Sequence, residues 1–318
     1  MKAMVLNAYG GSENLTYQEV PEPAVAPNEV KVRMVGAGIN PIDWKLRNGA
    51  LQTVMPLTFP AILGRDASGI VVEVGVEVRR IEVGARVMGL VWGAYADFVV
   101  ANLEAWAEVP AELDLVDAAA LPLALLTGAQ LIEQATRPKP GDVVLVTGAL
   151  GSVGRTAVYV AKTCGAKVLA GVRAAQKVQA AALGADGVVA LDDDGELAGL
   201  PLLDAVADTV GGSTVAKLLE RLIPGGTIGS IVGEPIGAQE RGFMVRNMLT
   251  HADAQRLAAL ALVVAEGKLL IPIVKRLALH DAAEAQGIAE HHAGGKVILL
   301  GSRPVPATRR EPLLHSLR

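Results

Sequence analysis

One stretch constrains this chain more than any other: VVLVTGALGSVGRTAVYVAKTCGAKVLAGVR, residues 143–173. A β-branched run, Val143–Thr147, meets a glycine-rich turn, then the apolar-periodic segment Val153–Cys164, then a second run, Lys167–Val172. Strand, turn, helix, strand is a crossover unit that buries its faces only inside a larger parallel sheet. The turn reads Ala149-x-Gly151-x-x-Gly154, with Gly148 just ahead. That is the dinucleotide pattern with alanine replacing the first glycine. Gly151 lets the backbone approach a pyrophosphate and Gly154 lets helix and strand pack closely, while the helix start at Ser152 and Val153 offers free N–H groups to an anion. A plain strand–helix turn also uses glycine, but the flanking strands and helix make nucleotide binding the better reading.

Sites for NAD place an acid about 20 residues beyond the turn, on the ribose 2′-hydroxyl. Here that residue is Arg173, with Lys177 one helical turn later and no carboxylate between Gly154 and Asp186. Two cations suit a 2′-phosphate, so NADPH is expected; the alternative is that both are solvated surface charges.

Residues 1 to about 105 carry short strands separated by turn residues: Met4–Asn7, Val30–Val35, Gly69–Val74, Arg86–Leu90 and Tyr95–Val100. After Leu115 the pattern changes to helices alternating with β-branched runs, as in a doubly wound α/β sheet. The expected order is a helix over 117–136, the crossover unit, a helix at 176–183, strands at 187–191, 204–208 and 227–232, and a helix at 214–222. A helix at 252–266 follows, and extended segments at 271–276 and 296–300 complete the first unit. This gives a β-rich domain over 1–116 and 267–302, a nucleotide domain over 117–266, and a loosely held tail over 303–318.

Composition removes several function classes. The 29 Lys and Arg face 33 Asp and Glu, with no basic run to meet nucleic-acid phosphates. The longest uncharged stretch, 48–64, is 17 residues and holds two prolines, which is no membrane span. With one cysteine and no apolar leader, the cytoplasm is the expected compartment. All five histidines lie beyond residue 250, so the first 250 residues work without the commonest base and metal ligand. His291 and His292 lack a third ligand nearby and read as a solvated loop.

Taken together, Gly38-Ile39-Asn40-Pro41-Ile42-Asp43, Gly64-Arg65-Asp66-Ala67-Ser68-Gly69, Gly93-Ala94-Tyr95-Ala96, Leu126-Thr127-Gly128, the glycine turn, Asp208-Thr209-Val210-Gly211-Gly212 and Gly294-Gly295-Lys296-Val297 make a specific series. Over about residues 1–301 the chain resembles the medium-chain dehydrogenase/reductase superfamily, within it the zinc-free quinone oxidoreductases similar to zeta-crystallin. The resemblance implies a Rossmann domain joined to a GroES-like catalytic domain, and a homodimer formed through an edge strand near Arg241–Arg246. It implies no zinc: metal-dependent members carry cysteine at the position of Asn40 and Gly-His-Glu in place of Gly64-Arg65-Asp66. Two departures are Ala85, where the family has an aspartate before Arg86, and Leu191, where it often has a tyrosine beside the 2′-phosphate.

Hydride transfer from NADPH to a quinone or α,β-unsaturated carbonyl needs a positioned acceptor and a stabilised oxyanion. The resemblance puts Asn40 near the nicotinamide as amide donor, with Asp43 ordering the same loop. Asp43 reads equally as a helix cap. Thr127, Val232, Gly233 and Lys296 match positions around the cofactor, although Thr127 also suits a backward bond within its helix. Trp44, Trp92 and Tyr95 are candidate pocket walls or plain core. Alternative readings are an enoyl- or polyketide-type double-bond reductase, or a non-enzymatic NADPH-binding protein.

Overall fold

The structure, a computed structural model, describes residues 1–291 and 294–302. The tail 303–318 and His292 lie outside the described residues. Six parallel strands form one sheet in the order Gly187–Ala190, Lys167–Val172, Val143–Thr147, Leu203–Asp208, Leu222–Ser230 and Met244–Asn247. Val144, Leu145 and Val146 are fully buried in its middle strand, as a parallel sheet covered on both faces requires. Strand order reverses between Val143–Thr147 and Leu203–Asp208. Crossovers on the two sides diverge there and leave a crevice at the carboxyl ends.

Helix Ser152–Thr163 buries its Gly154, Ala157, Val158, Val160 and Ala161 face. Helix Pro122–Gln130 crosses it at Gly128, where a Cβ would come within 2.5 Å of Thr156 Cβ and 2.6 Å of Val153 O. Glycine here sets how closely the two helices approach. The expected single helix over 117–136 is divided. A 3-10 turn covers Asp117–Ala120, Pro122 starts the α-helix, and a wider π-type turn over Leu131–Thr136 ends on Arg137 in the left-handed region at φ 52°.

The second sheet runs Ile273–Ala278, Lys296–Leu300, Glu29–Gly38, Asp66–Val74, Arg86–Leu90 and Trp106–Glu108, with Phe98–Asn102 pairing the first half of Glu29–Gly38. The last strand among the described residues, Lys296–Leu300, lies antiparallel to Gly36–Gly38. A smaller sheet joins Leu15–Glu19, Lys2–Leu6 and Ala61–Ile62. Strand Leu15–Glu19 is hidden from a hydropathy reading because its partly buried residues, Thr16 and Gln18, are polar while the aromatic Tyr17 is exposed. Arg86, left without its family partner by Ala85, donates to Leu113 O at 2.6 Å. No helix among the described residues is long and apolar enough to cross a membrane.

Candidate active site

The nucleotide end is made mostly of main chain. Gly148, at φ 61°, turns the chain off Val143–Thr147; Ala149 is fully buried and donates its N–H to Gly171 O at 3.1 Å. Gly151 occupies the N-cap of Ser152–Thr163 with no side-chain cap, so the first N–H groups, including those of Ser152 and Val153, are open to an anion. A Cβ on Gly154 would lie 2.2 Å from Gly148 O and 2.8 Å from Ala149 Cα. An uncapped helix start on a turn with no room for side chains fits a dinucleotide pyrophosphate. Behind it, buried Asp208 accepts from Thr147 Oγ1 at 2.9 Å, from the Val210 and Gly211 N–H groups, and from Ser230 Oγ at 3.1 Å. One carboxylate thus ties three strand ends together at the crevice. Its motif is visible in sequence, but this role is not.

The two cations beyond the turn differ. Arg173 is exposed and its guanidinium meets no partner among the described residues. Lys177 is bonded to Glu196 at 2.5 Å. Glu196 also accepts the Ala190 N–H, and these bonds, the backbone one first, hold its carboxyl below the usual range. The expectation of two free cations is therefore corrected to one. Asp192 accepts the Ala174 N–H at 2.7 Å, so two acids beyond Asp186 approach this turn. Counting carboxylates only as far as Asp186 misses them. Thr127 is buried and its hydroxyl pairs with Thr250 Oγ1 at 2.7 Å rather than backward along its helix. Val232 is exposed and Gly233, at φ 107°, turns the chain beyond Leu222–Ser230.

The other end is made of side chains. Asn40 precedes helix Pro41–Arg47, and the Asp43 carboxylate reaches back to accept the Asn40 N–H at 2.8 Å. Asp43 is thus an N3 residue that closes the turn, with Asn40 itself at the N-cap. The Asn40 amide donates to Asp66 Oδ2 at 2.9 Å and Gly38 O at 3.3 Å, and its oxygen accepts from Lys296 Nζ at 2.6 Å. Both amide hydrogens are committed. The expected donor role toward an acceptor oxygen is corrected accordingly: Asn40 positions Lys296. Lys296 also bonds Asp66 Oδ2 at 3.0 Å, and its third ammonium hydrogen has no acceptor among the described residues. Asp66 Oδ1 accepts the Leu123 N–H at the start of Pro122–Gln130, so this cluster is bolted to the helix that carries Thr127.

Tyr95 is fully buried and donates to Asp43 Oδ2 at 2.7 Å, so it is a support behind the cluster and not a pocket wall. Burial pushes the Asp43 carboxyl up to about 7, against the lowering bonds from Tyr95 and Asn40. The Tyr95 phenol is raised too, by burial first and then by the Asp43 charge. Arg47 bonds Gln286 at 2.6 Å from the far end of the same helix. Trp44 is half-buried against the catalytic-domain core, and half-exposed Trp92 lies under the Arg65 guanidinium, 3.7 Å from the ring centroid. Sequence reading took Asp66 and Arg65 only as replaced metal ligands. A carboxylate opening strand Asp66–Val74, whose first four residues are all buried, was the available signal, because a buried acid requires a partner. Among the described residues no three His, Cys, Asp or Glu side chains are placed to share a metal ion.

Residues 26–111 match the family model for the alcohol dehydrogenase GroES-like domain, and residues 183–299 match that for zinc-binding dehydrogenase. A 2-haloacrylate reductase from Burkholderia sp is 31% identical over 303 residues, covering 88% of this chain and 90% of that protein. This chain belongs to the medium-chain dehydrogenase/reductase superfamily. Within the superfamily it groups with the quinone oxidoreductases. The Escherichia coli quinone oxidoreductase solved in complex with NADPH superposes with a TM-score of 0.82 at 28% identity, covering 94% of this chain and 100% of that one. A chloroplast envelope quinone oxidoreductase homolog of Arabidopsis thaliana is 35% identical over 199 residues, a match spanning 59% of this chain and 60% of that relative. That match therefore spans less than two thirds of either protein. In superfamily terms, the six-stranded sheet is the Rossmann domain and the seven-stranded sheet the GroES-like one.

Proposed function

We propose that this chain is a cytoplasmic, zinc-independent oxidoreductase that moves hydride from NADPH to a quinone or α,β-unsaturated carbonyl. The observation that carries the reading is the buried Lys296–Asn40–Asp66 cluster, fixed through Leu123 to the helix beside the glycine turn. Ser152, Val153 and Gly154 would receive the pyrophosphate, Arg173 the 2′-phosphate, and Thr127, Val232 and Gly233 would line the rest of the dinucleotide. When bound, the reduced nicotinamide supplies hydride. Lys296 holds a proton donor toward the acceptor oxygen, where negative charge develops, and Asn40 and Asp66 fix its ammonium. Asp43, backed by Tyr95, fixes the Asn40 backbone. Lys296 and Arg65 together make the cluster a poor host for a divalent cation, which supports work without zinc. Among the described residues strand Met244–Asn247 leaves one sheet edge unpaired, and a second copy of this chain is the proposed partner there.

The test is NADPH against NADH oxidation with a panel of quinones and enones, run with Asn40→Ala and Lys296→Met. Turnover preferring NADPH, with kcat at least tenfold lower in Lys296→Met, is expected. NADPH binding without turnover on any acceptor would overturn the enzymatic reading.

A further inference from the structure

The segment that follows strand Gly187–Ala190 carries four acids, Asp192, Asp193, Asp194 and Glu196. Three of them have local uses. Asp192 accepts the Ala174 N–H, Asp193 caps the short helix Asp194–Ala198 by accepting the Gly195 and Glu196 N–H groups, and Asp194 pairs with Lys217. Glu196 differs. It gives one carboxylate oxygen to the Ala190 N–H at 2.8 Å and the other to Lys177 Nζ at 2.5 Å. A cation of the turn expected to meet the coenzyme is thereby claimed from within the protein.

Lys177 opens helix Lys177–Ala180 directly after the 3-10 turn Ala174–Gln176, and Arg173 stands at the start of that turn. The two cations are treated unequally, one paired and one free among the described residues. With Lys177 38% and Glu196 33% exposed, the ion pair by itself is a weak one. The carboxylate is nevertheless fixed: the Ala190 N–H holds it at the strand end, and the Asp193 cap fixes the backbone that carries it. The same bond to Ala190, and then the one from Lys177, keep its carboxyl below the usual range, so it is charged at neutral pH. A 2′-phosphate arriving at this turn meets one of two situations. Either Lys177 stays on Glu196 and gives the phosphate nothing, or it swings across and leaves a fixed carboxylate facing a second anion. Both weaken the phosphorylated coenzyme. Neither touches NADH, whose ribose carries a neutral hydroxyl there.

We propose that Glu196 sets the coenzyme selectivity of this site: by holding Lys177 as its counter-ion it restrains the preference for NADPH over NADH, which is left to Arg173. The proposal rests on the reading of this turn as the place of the 2′-phosphate.

Fluorescence titration of the full chain with NADPH and with NADH tests it. Glu196→Gln keeps an oxygen for the Ala190 N–H and removes the charge; it should raise the NADPH-over-NADH affinity ratio about fivefold, by tightening NADPH and leaving NADH unchanged. In turnover the same ratio should move through KM for NADPH and not through kcat. Lys177→Ala should then lower the ratio at least fivefold in the Glu196→Gln background, against less than about threefold in the wild type. Equal effects of Lys177→Ala in the two backgrounds overturn the proposal. So does a shift of both coenzymes alike in Glu196→Gln, which is what a merely structural role predicts. Calorimetry with 2′,5′-ADP and 5′-AMP, which cannot react, should repeat the pattern without the nicotinamide. Arg173→Ala separates the two readings: a ratio lowered by Arg173→Ala but unmoved by Glu196→Gln overturns the role of Glu196 alone, and a ratio unmoved by either overturns the 2′-phosphate reading with it.

Discussion

At the turn between Val143–Thr147 and Ser152–Thr163 the groups proposed to meet a ligand are main-chain N–H groups, whereas around Lys296 they are side chains gathered from positions 256 residues apart. The first arrangement depends on atoms being absent: any Cβ at Gly154 meets Gly148 O. The second depends on charges being present and paired, since Lys296 and Asp66 are both withdrawn from water. One site therefore fails when something is added and the other when something is removed.

The largest effect is expected from Asp66→Ala. It leaves the Lys296 ammonium buried without its counter-charge, which costs about 3–5 kcal/mol. Urea unfolding should register the loss, and adding Lys296→Met should recover most of it; a loss that persists in the double variant would mean that the pair does not dominate the cluster. Next is Gly154→Ala, where forced backbone shifts cost about 2 kcal/mol and NADPH affinity drops at least tenfold by fluorescence titration. Unchanged affinity there would erase the contrast between the two sites.

Asp43 offers a third test, with a defined sign. Its folded carboxyl is raised from 3.8 to about 7. Its contribution to stability is intact below about pH 3.8, declines as the unfolded chain ionises first, and is lost once pH passes about 7. Asp43→Asn removes this dependence, so its stability relative to wild type should rise by about 2 kcal/mol between pH 5 and pH 7. Parallel stability–pH curves for the two proteins would refute it. The smallest effects concern the coenzyme. Arg173→Ala should cut the NADPH-over-NADH preference about tenfold, the worth of one charged contact, whereas Lys177→Ala, already neutralised by Glu196, should change it less than about threefold.

The same contrast explains what could be read beforehand. The glycine turn was legible because its chemistry occupies contiguous residues, and Val143–Thr147 and Lys167–Val172 are the strands their β-branched runs announce. The fold class followed from that alternation. Strand Trp106–Glu108 was missed because three residues give no period. Around Asn40, sequence proximity showed only the turn with Asp43. The bonds to Asp66 and Lys296 are made by tertiary pairing of Glu29–Gly38 with two other strands, for which no local pattern exists. Lys177 was misjudged for the same reason: Glu196 arrives from 19 residues away, through the sheet edge.

The antiparallel seat of Lys296–Leu300 on Gly36–Gly38 also fixes an order of assembly. On the ribosome Asn40 emerges 256 residues ahead of Lys296. At about 5–20 residues per second that is a delay of roughly ten seconds to a minute. Meanwhile the six strands of the nucleotide sheet, ending at Asn247, are all synthesised. The nascent chain can therefore hold the glycine turn proposed to cradle the coenzyme before the Lys296 amine exists, so the proposed chemistry would become possible only with the closing strand.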